Sequence, residues 1–248
     1  MKSQRAPAPR AAQAPGNRLL AGLSTADRRV LQSALEPIDL PVRSVLIRPN
    51  TPFEYVYFIE EGVASLLALA EHGRAAEVGT IGNEGLVGAY GVIGGDTMPN
   101  ECFMQVAGRG QRMPLAVLRR AAAASPTLLM AIGKYVHAFS VLAMQSAACN
   151  ALHGLNERLA RWLLMSQDRV GDDLPLTHEF LGLMLGATRP SVSVAALALQ
   201  EAGLIRYRQG HIRVLNRGGL EGASCECYQI TQRFFDDLTT AAPDGPGT

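Results

Sequence analysis

Residues 176–215 read LTHEFLGLMLGATRPSVSVAALALQEAGLIRYRQGHIRVL and decide the fold of the C-terminal part of the chain. Thr177 is a typical helix N-cap, and apolar residues follow it at helical spacing as far as Gly186, a residue that commonly ends helices. Thr188 is a second N-cap, and Pro190 lies in the next first turn, where its missing N–H costs nothing. The pattern predicts two helices joined by a tight turn.

Two short β-type runs follow the second helix and predict a hairpin. They cover residues 204–207 and 211–215, with a turn around Gly210 between them. No acidic residue occurs between Glu201 and Glu221, whereas five basic side chains do: Arg206, Arg208, His211, Arg213 and Arg217. Such charges also suit a solvated hairpin, so the interpretation depends on their position beside the two helices. Together they predict a winged helix-turn-helix that binds the phosphate backbone of DNA.

The segment 176–221 resembles the DNA-binding end of the Crp/Fnr family of bacterial regulators, the family of the catabolite activator protein. The matching motifs are the glycine turn, TRPSVS at the start of the second helix, and LQEAGLI before the hairpin. The resemblance extends from about Leu20 to Cys227. It implies a homodimeric transcription regulator that binds a palindromic site in double-stranded DNA, with RNA polymerase as a further candidate partner.

The resemblance also assigns DNA contacts within the second helix and the hairpin. Family members often carry an arginine, a glutamate beside it and another arginine four positions beyond the glutamate; Arg189, Pro190 and Val194 stand there in this chain. We therefore expect Arg189 to be the strongest base reader and the preferred site to differ from the usual one. The full set of expected DNA contacts is Thr188, Arg189, Ser191, Ser193, Val194, Arg206, Arg208, His211 and Arg213.

Length and composition predict a globular protein with a full hydrophobic core. The chain has 248 residues, 48% of them hydrophobic, and a formal net charge of +1. We expect an α+β fold. No signal peptide or transmembrane window is expected, which predicts a cytoplasmic protein with no membrane partner. The expected parts are a disordered tail (1–17), an N-terminal double-stranded β-roll sensor domain (18–125), a dimerisation helix (126–153), the winged helix-turn-helix domain (154–238) and a second disordered tail (239–248).

Short β-type runs separated by Gly, Pro and Asn lie between Ile38 and Pro114. In the Crp/Fnr family this region resembles a cyclic-nucleotide-binding jelly roll. The arginine that binds the nucleotide phosphate is absent, and Glu101 would repel a phosphate. Another effector and no effector at all remain equal alternatives. The candidate pocket residues are Gly82, Glu84, Gly85, Leu86 and Glu101.

A long apolar helix is predicted from Pro126, with Ser125 as its cap. One apolar stripe has heptad spacing and predicts a seam between two copies of the chain. The alternative is a helix that is buried on both sides within one chain. Gly154, just beyond this helix, is a candidate hinge. The candidate dimerisation residues are Leu129, Ile132, Val136, Phe139 and Ala143.

Metal binding and catalysis have no support in the sequence. Cys225 and Cys227 are too few for a metal site without further ligands, and the histidines show no ligand spacing. A redox role for this cysteine pair stays open. No catalytic motif occurs, so we expect no enzyme activity, no cofactor and no metal. The alternative function is a binding or scaffold protein that responds to a small ligand and uses its helix-turn-helix for protein contacts.

Overall fold

The computed structural model describes residues 16–71 and 75–237. Most of both predicted tails lies outside these residues, but Asn17 does not belong to a disordered tail. Its buried side chain caps the first helix and donates hydrogen bonds to the carbonyl oxygens of Ile59 (2.8 Å) and Gly85 (2.7 Å). The helices are α1 (Arg18–Ala21), α2 (Thr25–Gln32), α3 (Ala89–Val92), α4 (Leu115–Ala124), α5 (Pro126–Leu152), α6 (Leu155–Val170), α7 (His178–Leu185), α8 (Arg189–Glu201), α9 (Arg217–Ala223) and α10 (Cys227–Asp237).

The N-terminal half is an antiparallel β domain. Its strands are β1 (Glu36–Leu40), β2 (Val45–Ile47), β3 (Tyr55–Leu69), β4 (Ala75–Ile81), β5 (Leu86–Val87) and β6 (Glu101–Pro114). The order is β1-β6-β3-β4, with β2 paired to β6 and β5 paired to β3. The long strands supply much of the core: residues 62–67 of β3 are all buried, and β6 buries Cys102, Met104 and Met113. The α+β fold class predicted from the sequence is confirmed.

Helix α5 follows the β domain and packs along β4. Ser125 caps it, and Pro126 takes its first position, as predicted. The expectation that no segment could span a membrane is wrong for this helix, which is long and apolar enough by length and composition. One face nevertheless packs within the chain and buries Leu128, Ile132, Tyr135, Phe139 and Leu142. Helix α10 covers a second side, where Phe234 contacts His137 edge to face.

The C-terminal part contains α6, the pair α7 and α8, and a small sheet. Strands β8 (Ile205–Arg208) and β9 (His211–Val214) form the predicted hairpin, and β7 (Asp173–Leu174) pairs with β9. The axes of α7 and α8 differ by 106°, which lies in the range of helix-turn-helix pairs. Val192, Ala195, Ala196 and Leu199 of α8 are buried against the neighbouring helices, as their spacing predicts.

The C-terminal part packs directly on the β domain. The indole N–H of Trp162 in α6 donates to the Glu77 carboxylate of β4 at 2.8 Å, and both side chains are buried. Phe180 of α7 meets Phe103 of β6 edge to face. Aromatic pairs of this geometry stabilise a contact beyond the area that they bury. The C-terminal part is therefore fixed against the sheet in this conformation.

Candidate nucleic-acid interface

The turn between α7 and α8 depends on two glycines. Gly186 ends α7 in the left-handed region with φ 59°. A Cβ on Gly182 would lie 2.8 Å from the carbonyl oxygen of Ala187, so a larger residue would push the turn away from the helix. Thr177 and Thr188 cap the two helices by accepting from the backbone N–H of Phe180 and Ser191. These local signals hold α8 at the surface at its fixed angle.

Helix α8 turns its N-terminal end and one side to solvent. Arg189 and Ser191 are exposed, and Val194 is 70% exposed although it is apolar. This side presents the guanidinium of Arg189, the hydroxyl of Ser191 and the methyl groups of Val194, all of which can contact base edges in a major groove. The hydroxyl of Thr188 is already used in the cap, where it also lies 2.8 Å from the Ser191 hydroxyl.

Ser193 is half-buried, and its hydroxyl is engaged within the domain. Its hydroxyl donates to the Arg189 carbonyl oxygen at 3.0 Å and lies 2.9 Å from Nδ1 of His178. The His178 ring stacks on Tyr207 of the hairpin, with centroids 3.9 Å apart. Burial and the nearby Arg189 charge lower the pKa of His178, which favours the neutral ring. Sequence reasoning missed His178 and Tyr207, although His178 follows the α7 cap; together they tie α7, α8 and the hairpin into one unit.

The hairpin presents like charges directly opposite each other. Arg206 and Arg213 are cross-strand partners, and both are exposed. Two cations at such a position destabilise a strand pair unless an anion neutralises them. Gln209 and Gly210 both have positive φ, 49° and 80°, which is typical of a two-residue hairpin turn.

The other basic residues between Glu201 and Glu221 differ in their surroundings. Arg208 lies opposite His211, whose Nδ1 is 3.4 Å from the Asp173 carboxylate. Arg217 points away from this surface and pairs with Asp168 and Glu221, each at 2.9 Å. The exposed positive charge of the hairpin therefore comes from Arg206, Arg208 and Arg213.

The structure brings four of the five predicted effector residues together, around an arginine from α6. Arg169 donates to the Glu84 carboxylate at 2.6 Å, and a Cβ on Gly82 would lie 2.6 Å from Cδ of Arg169. A Cβ on Gly85 would lie equally close to the Tyr135 hydroxyl, at 2.7 Å, and Leu86 follows in β5. Burial alone would raise the pKa of Glu84, but the Arg169 guanidinium holds it below its usual value. The loop that would bind a nucleotide is thus filled by the chain itself.

Glu101 is not part of that group. It begins β6 and pairs with Leu67 in β3, whereas Leu86 pairs with Phe58 toward the other end of β3. Ile81, which precedes Gly82, pairs with Ala64, three residues from Leu67, so Glu101 and the start of the loop lie on opposite sides of β3 and are offset by roughly 10 Å along it. The expectation that Glu101 faces an anion bound at Gly82–Gly85 stays a prediction.

A second cleft lies between the β domain and α5. It encloses about 300 Å³, including its open mouth, and apolar side chains and the ring of Tyr90 line most of it. Ile47, Leu66, Met98 and Phe139 are among the lining residues. The chemistry of this lining suits a small apolar molecule and offers no charged group for a phosphate.

The predicted dimerisation residues divide between two faces of α5. Ile132 and Phe139 are buried within the chain, and Phe139 packs on Gly79 of β4, so they do not line an outer seam. Leu129 is exposed, and Val136 and Ala143 are half-buried at the edge of the free face. The predicted heptad pattern thus combined residues of the buried face with residues of the outer face, because the helix is apolar on both faces.

Two sequence-distant pairs of cysteine and histidine side chains meet at the end of α5. The ligand atoms of Cys149, His153, Cys225 and Cys227 all lie within 4.8 Å of one another. The expectation that these residues lack ligand spacing is wrong, because spacing along the chain does not reveal that α10 returns to the end of α5.

Comparison with known proteins identifies the C-terminal region and the fold. Residues 157–223 match the Crp-like helix-turn-helix domain. Curated proteins gave no sequence match. Among solved structures, a transcriptional regulator assigned to the Crp/Fnr family from Eubacterium rectale has 16% identity and a TM-score of 0.66 over 83% of this chain and 96% of that one.

Two further structures have the same fold. FixK2 from Bradyrhizobium japonicum is 18% identical, with a TM-score of 0.67 over 77% of this chain and 98% of its own. The c-di-GMP-responsive global regulator CLP from Xanthomonas campestris is 19% identical, with a TM-score of 0.63 over 77% of this chain and 99% of its own. At these identities the likeness concerns the fold.

Proposed function

We propose that this chain, which carries a Crp-like helix-turn-helix domain on the fold of Crp/Fnr transcription regulators, binds a two-fold symmetric DNA site as a homodimer. It acts as a cytoplasmic transcription regulator and not as an enzyme. Helix α8 enters the major groove by its N-terminal end, and the hairpin follows the adjacent phosphates. RNA polymerase is a further candidate partner.

The opposed pair Arg206 and Arg213 is the observation that carries the proposal. The chain keeps two exposed guanidinium groups at facing positions, beside an α8 surface that offers Arg189, Ser191 and Val194. Like charges at facing positions repel, and Asp173 of β7, which faces Arg213 on its other side, offsets part of that repulsion. A phosphate backbone removes the repulsion and adds charge-assisted hydrogen bonds.

The homodimer is proposed to form through the free face of α5. Leu129, Val136 and Met144 lie there beside small residues, and Met144 is 64% exposed. Gly133, Ser140 and Ala147 recur every seventh residue along this face. Small side chains at heptad spacing let two helices approach closely. This face is therefore proposed as the dimer interface in place of the predicted seam through Ile132 and Phe139.

The sensor is proposed to respond to something other than a cyclic nucleotide. Arg169 fills the Gly82–Gly85 loop and is committed to Glu84, and the neighbouring Arg18 lies 3.9 Å from the Asp236 carboxylate. The apolar cleft between the β domain and Phe139 of α5 is the better candidate pocket. A ligand there would contact α5 directly and could shift its packing against a second copy.

Selection from a random pool of duplex DNA with the full-length protein tests the proposal. We expect enrichment of a palindromic sequence whose two halves are separated by about one helical turn, and affinity that falls steeply with salt. A protein that uses its helix-turn-helix for protein contacts would enrich no sequence and would show a flat salt dependence.

A further inference from the structure

We propose that Cys149, His153, Cys225 and Cys227 form a binding site for one Zn²⁺ ion. Cys149 and His153 belong to the last turn of α5 and its C-cap, and Cys225 and Cys227 lie just before and at the start of α10. The site therefore joins the end of the long helix to the C-terminal helix, next to Gly154. It is independent of the proposed DNA binding.

The spacing of the ligand atoms fits a single tetrahedral ion. Sγ of Cys149 lies 3.4 Å from Sγ of Cys225, and Sγ of Cys227 lies 3.6 Å from Nδ1 of His153. Four ligands around zinc, with Zn–S bonds of about 2.3 Å, have edges of roughly 3.5–3.8 Å. A multi-iron cluster would hold its cysteines on different iron atoms and so further apart. Three sulfurs and one imidazole nitrogen also favour zinc over magnesium or calcium, which prefer oxygen.

The surroundings orient the ligands. Nε2 of His153 lies 3.3 Å from the Glu226 carboxylate, which leaves Nδ1 directed at the sulfurs. A carboxylate on the outer nitrogen is the common way to fix the tautomer of a metal-bound histidine. The side-chain amide of Gln145 donates to Sγ of Cys227 at 3.0 Å. These contacts are those that a thiolate–imidazole centre requires.

A buried arginine supplies the matching charge. Arg161 is only 7% exposed and interacts electrostatically with Cys149. Its Nη2 donates to Ser146 at 3.3 Å, but its Nε has no hydrogen-bond partner among the described residues. When the ion binds, the three thiols release three protons to solvent, and three thiolates with one Zn²⁺ carry a net charge of −1. The guanidinium of Arg161 offsets that charge, which explains a buried cation beside sulfur atoms.

The same cluster bears on the redox role that the sequence left open for Cys225 and Cys227. A disulfide would join two of these sulfurs, whereas zinc uses all four ligand atoms, which lie within 4.8 Å of one another. The geometry of the four side chains therefore favours a metal site.

The test uses the full-length protein, purified under reducing conditions without chelators. We expect one Zn²⁺ per chain by elemental analysis. After exchange with Co²⁺, we expect thiolate-to-cobalt charge-transfer absorption and the intense d–d bands of a tetrahedral ion. Chelation should lower the melting temperature, since the ion binds only the folded chain. These measurements use only the wild-type protein, so they do not depend on whether a variant folds.

Two variants locate the site. Cys225→Ala removes one of three thiolates and should weaken the charge-transfer absorption, whereas Cys102→Ala should leave it unchanged, because Cys102 is equally buried but lies in β6. Absence of the charge-transfer bands in the Co²⁺-treated wild type would overturn the proposal. So would bands of undiminished intensity in Cys225→Ala.

Discussion

Arg169 of α6 binds Glu84 of the β domain across 2.6 Å, with both side chains less than one-tenth exposed. The pair connects the loop that precedes β5 to the first helix of the C-terminal domain. Tyr135 of α5 packs against the same loop at Gly85. The Gly82–Gly85 loop, α5 and the C-terminal domain therefore meet at one buried ion pair. Loss of this pair should affect the packing of all three.

Breaking this pair on one side should destabilise the chain. Arg169→Met leaves the Glu84 carboxylate buried without its partner, which should lower the free energy of unfolding by about 3–5 kcal/mol. Glu84→Gln combined with Arg169→Met removes both charges and should recover most of that loss. Urea denaturation measures each variant. If the double variant loses the sum of the two single losses, the residues do not act as a pair.

Cyclic AMP should not bind with useful affinity. Its phosphate would approach the Gly82–Gly85 loop, where Arg18 lies 3.9 Å from the Asp236 carboxylate and Arg169 is committed to Glu84. Displacing that pair would leave a carboxylate buried against a phosphate. Titration calorimetry with the full-length protein should detect no saturable heat. Saturable micromolar binding would contradict the prediction and would require Arg169 to release Glu84.

The contact between Glu77 and Trp162 should make stability depend on pH. Burial raises the pKa of Glu77 from 4.5 to about 6. The folded chain thus binds the carboxyl proton of Glu77 more tightly than the unfolded chain does. The contribution of Glu77 to the free energy of unfolding therefore falls as the pH rises from 4.5 to about 6. Glu77→Gln keeps an acceptor for the indole N–H and should gain about 2 kcal/mol above pH ~6 relative to wild type.

The same change at an exposed carboxylate serves as the control. Glu61→Gln alters a side chain that is 57% exposed and pairs with Arg109 at the surface. Its stability relative to wild type should change little between about pH 4.5 and 7. If Glu77→Gln tracks the control in denaturation experiments across this range, ionisation of Glu77 is not coupled to folding.

Gly133 offers a test of the dimer face that spares the fold. Apart from the adjoining backbone of the helix, a Cβ at this position meets no atom of the described residues within 4 Å. Gly133→Glu should therefore retain or improve helix stability, yet place a bulky charge where two α5 helices approach. Sedimentation velocity should show a shift from dimer to monomer. Gly222→Glu, an equally open glycine in α9, should remain dimeric; equal behaviour of the two variants would exclude this face.

The local signals of the C-terminal domain could be predicted from the sequence because each is short in range. Thr177, Gly186 and Thr188 act on backbone groups within a few residues, and the turn at Gly210 does likewise. Their order therefore fixes two helices and a hairpin without knowledge of the remaining chain.

The errors concern contacts between distant segments. Arg169 reaches the Gly82 loop from another domain, and nothing in either local pattern marks that pairing. Helix α5 is apolar on opposite faces, so periodicity alone could not separate Phe139, which packs inward, from Gly133, which faces outward. Cys227 meets His153 only because α10 folds back onto the end of α5.

The most direct test of the central claim compares Arg189→Ala with Arg206→Ala on the selected DNA site and on random duplex DNA, at several salt concentrations. Arg189→Ala should cost about 1–3 kcal/mol per half-site on the selected DNA, relax the preference at one base pair and leave random binding nearly unchanged. Arg206→Ala should weaken both kinds of DNA alike and reduce the salt slope by about one. If neither variant alters affinity for either DNA, α8 and the hairpin are not the DNA-binding surface and the proposed function is wrong.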